Sequence, residues 1–140
     1  MTAKVRFADV SVGEELKPWR YRVTREDLVA YAGASGDQNP IHQDEAFAKQ
    51  VGLPDVISHG MLTMAKIGQY VTDWAGDPAA VVRLKARFTQ MVIVPKDTGN
   101  EVTVSGKVTS KGDGTRVVLE LAAAVGDVNV GAAEAEVELA

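Results

Sequence analysis

The residues best equipped for chemistry lie in one short stretch, Gly36-Asp37-Gln38-Asn39-Pro40-Ile41-His42-Gln43-Asp44, which holds one of the chain's two histidines. Asp37 and His42 are separated by Asn39 and Pro40, in a run too rich in turn formers to be the middle of a helix or strand. A carboxylate and an imidazole brought together by such a turn can take a proton from a small molecule between them and return it near neutral pH. The same residues also read as a plain turn, with Asp37 capping through its side chain and His42 an ordinary surface or hydrogen-bonded histidine. Spacing alone favours that plainer alternative. A metal site on Asp37, His42 and Asp44 is the weakest of the three, because no second histidine stands at helical ligand spacing and cysteine is absent.

A second stretch, Ser58-His59-Gly60-Met61, stands where a strongly apolar segment begins. The unpaired amides of a first helical turn favour negative charge, and a glycine there admits a ligand close to the backbone, so Gly60 could line an oxyanion hole. The alternative is that Ser58 is an N-cap and Gly60 relieves crowding. His59 is read as a satisfied structural histidine.

The elements that must hold these stretches follow from the hydrophobic period. Thr24 with Asp27 three positions on, before Leu28, Tyr31 and Ala32, reads as a capped short helix ended by Gly33. Asp44 caps another short helix carrying Ala46, Phe47 and Val51, with Gly52 as its stop. From Met61 to Trp74 apolar residues fall on nearly every face, which predicts a helix buried most of the way round. After Pro78 the period becomes two. Val82, Leu84, Ala86 and Phe88 alternate with Arg83, Lys85 and Arg87, and further strands run through Val102–Val108, Val117–Val125 and Ala133–Leu139, with turn signals between them. One apolar helix followed by four or more antiparallel strands is an α+β plan, with the sheet wrapped around the helix.

At 140 residues, 46% hydrophobic and without a run long enough to span a bilayer, the chain is expected to be one domain over residues 1–140 with a real core. The N-terminus lacks the apolar core of a secretory signal; with no cysteine present, a cytoplasmic address is expected. A net charge of −4 argues against general nucleic-acid binding and leaves room for local basic patches.

The run YAGASGDQNPIHQDEAFA resembles the hydratase-2 motif of the MaoC-like, (R)-specific enoyl hydratase and dehydratase family, with Tyr31, Gly36, Asp37, Asn39, Pro40, His42 and Ala48 fitting it. SHGML and ARFTQMVIVPKD are similar to the start of that family's long helix and to the strand after it. Within the family, HGMLTM, YVTDWAGDP and the Arg-Phe-Thr strand most resemble the B-type subunits of the type II fatty-acid synthase (3R)-hydroxyacyl-ACP dehydratase. The resemblance implies a hot-dog fold paired with a second hot-dog chain, as homodimer or heterodimer, with an acyl-pantetheine tunnel at the interface. It implies reversible hydration and dehydration of (3R)-hydroxyacyl and trans-2-enoyl thioesters of ACP or CoA, needing neither metal nor organic cofactor.

By the same resemblance Asp37 and His42 form the catalytic pair, the Gly60 amide binds the thioester carbonyl, and Asn39 orders the loop. Some members carry an orienting serine two turns beyond the glycine, where this chain has Gly68; the B-type subunits have glycine there too. Arg83, Lys85 and Arg87 share one strand face and could receive the carrier's phosphate or acidic surface; a merely solvated strand face is an equal alternative. Two other functions stay open: a non-catalytic acyl-binding or scaffolding subunit and, less favoured, a thioesterase, for which the helix offers only Asp73 near its far end.

Overall fold

The computed structural model describes residues 4–140. The chain forms β1 (Glu15–Val23), α1 (Arg25–Ser35), α2 (Glu45–Gln50), α3 (Gly60–Ala75), β2 (Val81–Phe88), β3 (Asn100–Lys111), β4 (Arg116–Val125) and β5 (Val128–Glu138), with single 3-10 turns at Phe7–Asp9, Pro40–His42 and Pro78–Ala80. The strands make one antiparallel sheet in the order β1-β3-β4-β5-β2, which leaves β1 and β2 as edges. This is the hot-dog arrangement, with α3 as the filling.

The period-two pattern explains which face α3 meets. Val102, Val104 and Val108 of β3, Val117, Leu119 and Leu121 of β4, and Ala135 and Val137 of β5 are buried. They receive Ile67, Tyr70 and Val71 of α3, which cluster with them. Burying an aliphatic side chain of this size contributes about 2 kcal/mol, so this contact is the main anchor of the helix. Tyr70 adds a polar tie, its hydroxyl donating to the Lys17 carbonyl of β1 at 2.8 Å.

Three expectations are corrected here. Helix α1 passes Gly33 and ends at Gly36, which takes the left-handed conformation at φ 82 and returns its N–H to Ala32 O. Helix α3 leaves an open stripe along one face: Met61 is 58% exposed, and Ala65, Gln69 and Asp73 are exposed as well, with nothing among the described residues lying over them. Val82 does not join Leu84 and Ala86 against the helix; the register shifts between Val81 and Arg83, and Val82 faces solvent. Strand β1 is an addition. Pro18 interrupts its pattern and its register shifts between Leu16 and Trp19, yet Trp19, Tyr21 and Val23 keep the alternation that marks a strand.

Candidate active site

The loop after α1 is built by its own side chains. Gly36 turns the chain out of the helix, and the Asp37 N–H donates to Ser35 Oγ at 3.1 Å. The Asn39 N–H donates to Asp37 Oδ1 at 3.2 Å, and the Ile41 N–H to Asn39 Oδ1 at 3.2 Å. Two successive Asx turns therefore set up the Pro40–His42 turn, whose fixed proline φ suits its first position. That turn drives His42 inward until only 7% of it is exposed, while Asp37 stays exposed at the rim.

The His42 ring is fixed from behind, with Nδ1 lying 2.7 Å from the Ile57 carbonyl. A carbonyl only accepts, so Nδ1 carries a proton, and in the neutral ring Nε2 presents a bare lone pair. That lone pair faces Asp37 Oδ2 at 4.0 Å, wider than a direct hydrogen bond and within reach of one bridging water. The Ile57 segment is itself clamped: its N–H donates to Ile41 O at 3.2 Å, and Val94 N–H to Val56 O at 2.8 Å. Arg25 holds the same region through Asp55 Oδ1 at 2.7 Å and the Val94 carbonyl at 3.0 Å.

Helix α3 begins beside this pair. The residue at its N-cap is His59, which makes no side-chain cap bond, so the capping role considered for Ser58 is not the one it has. The His59 carbonyl accepts from Leu62 N at 3.1 Å and Thr63 N at 3.3 Å, whereas Gly60 N, in the unpaired first turn, has no acceptor among the described residues. Gly60 lines an open cleft of about 390 Å³ together with His42, Ile57, Thr63, Phe88 and Val130. A side chain at 60 would meet the Phe88 ring at 3.1 Å, tighter than ordinary contact.

The structure thus places Asp37 4.0 Å from His42, and His42 with Gly60 on one cleft, and leaves others elsewhere. Asp44 caps α2 by accepting from Phe47 N at 3.1 Å, outside the group of possible ligands. Gly68 is eight residues up the helix from Gly60, about 12 Å along its axis. A side chain there meets only Leu84, at 3.3 Å, so a serine hydroxyl at that position would not orient Asp37 of the same chain. Asp73 lines a different groove with Trp19, Tyr70 and Trp74. Arg83, Lys85 and Arg87 lie exposed on the outer side of β2, where Lys85 is 3.9 Å from Glu134.

His59 was not expected at the site. It is 1% exposed, its ring stacks on that of His42 at 3.8 Å and 24°, and Nε2 lies 3.2 Å from the Asp37 carbonyl. Burial pushes its pKa below the ordinary histidine value, against a smaller upward pull from the Asp37 hydrogen bond. Asp37, His42 and His59 offer nitrogen and oxygen atoms within 4.8 Å of one another. Near-parallel rings cannot aim both in-plane lone pairs at one ion, however, so the trio suits proton handling better than metal ligation.

Residues 5–125 match the family described as the MaoC-like domain. The chain belongs to this family. The MaoC-like domain is also 40% identical over 78 residues to 3-hydroxyacyl-thioester dehydratase X of Mycobacterium tuberculosis, covering 56% of this chain and 27% of that protein. A solved MaoC-like dehydratase superposes with TM-score 0.93 at 40% identity, over 96% of this chain and 42% of the other. An (R)-hydratase from A. caviae involved in PHA biosynthesis gives TM-score 0.84 at 25% identity, over 94% and 98%. The MaoC-like domain therefore spans about a quarter of the curated dehydratase and matches the hydratase along nearly its whole length.

Proposed function

We propose that this MaoC-like domain hydrates trans-2-enoyl thioesters and dehydrates (3R)-hydroxyacyl thioesters of ACP or CoA. The observation that carries the reading is His42 Nε2 facing Asp37 Oδ2 at 4.0 Å, with His42 and Gly60 lining one cleft. Names of relatives that include a thioester dehydratase and an (R)-hydratase support it. In hydration, a water held between Asp37 and His42 gives a proton to the pair as its oxygen bonds to C3, and the pair delivers a proton to C2. In dehydration the pair removes the C2 proton, the C3–O bond breaks, and the hydroxyl takes a proton and leaves as water. Negative charge passes through the thioester oxygen in either direction; a donor such as the Gly60 N–H aimed at it contributes about 3 kcal/mol. Asn39 orders the loop by receiving the Ile41 amide.

The exposed face of α3 and the free edge of β2, with Met61, Phe88 and Met91 open to solvent, support pairing with a second hot-dog chain that completes the tunnel. The deciding experiment is mass measurement of the purified chain with a crotonyl-thioester hydration assay, alone and with candidate partner chains. Asp37→Asn and His42→Ala are each expected to lower turnover by about a hundredfold or more with the fold intact. Near-normal turnover of either variant would remove the pair from the mechanism. Turnover restored only by a second hot-dog chain would mark a heterodimer, and none in any combination would make the chain an acyl-binding or scaffolding subunit.

A further inference from the structure

We infer that His59 is a positioning residue that locks the acid–base loop to the oxyanion amide. The inference rests on the hydration reading above and deepens it. The Asp37 carbonyl, 3.2 Å from His59 Nε2, can only accept, so that nitrogen carries the proton. The same ring is the surface on which His42 stacks, at 3.8 Å between centroids, and it also meets Tyr31 in a T-shaped contact at 4.8 Å. His59 also supplies the peptide unit whose nitrogen is Gly60 N, and the carbonyl of that unit is fixed by Leu62 and Thr63. One residue thereby touches both members of the pair through its side chain and holds the oxyanion donor through its backbone.

The cost of this arrangement argues that it is not mere packing. His59 Nδ1 is buried and has no hydrogen-bond partner among the described residues. A phenylalanine would fill the same space without an unpaired nitrogen, and a glutamine would donate to Asp37 without the flat surface. Imidazole combines ring and donor at this size, and its burial disfavours a second positive charge beside His42 when that ring receives a proton. A misplacement of reacting groups by about 1 Å can cost about a hundredfold in rate, which is the scale on which such a lock acts.

The test uses the full chain in its active assembly. His59→Phe keeps the ring and removes the donor, and should lower kcat about tenfold or more with KM within about twofold and Tm little changed. His59→Gln restores a donor toward Asp37 and should recover part of that loss. If His59 acts through the pair, adding His59→Phe to Asp37→Asn should cost less than about threefold further, since residues working as a unit are not additive. Full additivity, or a His59→Phe kcat within about twofold of the parent, overturns the inference. Ring-nitrogen NMR of the parent supplies an arm independent of turnover: a protonated Nε2 and bare Nδ1 are expected at His59, and the opposite tautomer overturns the lock. A parent that turns over no enoyl thioester in any assembly sinks the hydration reading instead, and the NMR arm still decides how His59 is held.

Discussion

Gly60 shows how closely one atom is controlled. A Cβ at this position would stand 3.1 Å from Phe88 Cε2 and 3.2 Å from Cδ2, nearer than ordinary contact. The ring can give way, since Phe88 is 42% exposed at the end of an edge strand. Gly60→Ala is therefore expected to leave Tm nearly unchanged, because the crowding is relieved by motion toward solvent. It also keeps the N–H, so any loss of rate reports displacement rather than a missing donor. Both residues line the cleft, and a shift of the ring or of the first turn misplaces the thioester; kcat/KM should fall about tenfold. Gly60→Ala combined with Phe88→Ala removes the clash and should regain much of the loss. A double variant no better than the single one would mean that Phe88 does not transmit the effect.

Among the elements, those whose reasons are local were readable in the sequence and those set by distant partners were not. The start of α1 was legible because Thr24 and Asp27 close a reciprocal capping box within four residues. Its end was not, because Gly33 and Gly36 are equally good stops on paper and only the folded loop requires the positive φ at Gly36. The place of His59 was hidden for a similar reason: Asp37 and Tyr31 reach it across the fold, and no periodicity in SHGML announces them. In β2 the alternation was legible, but the shift beside Val82 and the neighbours of the basic residues depend on β5. Arg83 is paired in register with Glu136, and Lys85 with Glu134, so the basic stripe borders an acidic one. We propose it as the carrier's docking strip, its reach limited by that neighbour. Reversing Arg83, Lys85 and Arg87 to glutamate should raise KM for ACP- or CoA-linked substrate with little change in kcat, most strongly at low salt, where the Debye length is longest. An N-acetylcysteamine thioester, which carries no phosphate, should be indifferent. Unchanged constants for the carrier-linked substrate at low salt would return the strip to the role of a solvated face.

For the whole molecule, three groups whose ionisation is shifted, His59, Tyr21 and Tyr70, contribute to how stability depends on pH. No helix among the described residues is long and apolar enough to cross a membrane. His59, facing Asp37 and His42, has its pKa pushed below the ordinary 6.5 chiefly by burial. The unfolded chain then binds a proton near pH 6.5 that the folded chain refuses, so His59 leaves stability intact above that pH and erodes it as pH falls toward the depressed folded value. Tyr21 and Tyr70 act at the other end. Burial raises both above the ordinary 10.0, so the folded state keeps protons that the unfolded state releases, and their contribution is lost as pH rises beyond about 10. Each such group can add a slope of at most about 1.4 kcal/mol per pH unit, enough to see in denaturant titrations of a domain of this size. The expected profile is a plateau with shoulders at both ends. Unfolding free energies of parent and His59→Phe across pH 5 to 8 check the acid shoulder directly: the variant, having no imidazole to protonate at 59, should lose stability less steeply below pH 6.5. Parallel curves for the two proteins would show that the ring of His59 is charged in the folded state as readily as in the unfolded one, which would contradict its burial as the dominant influence.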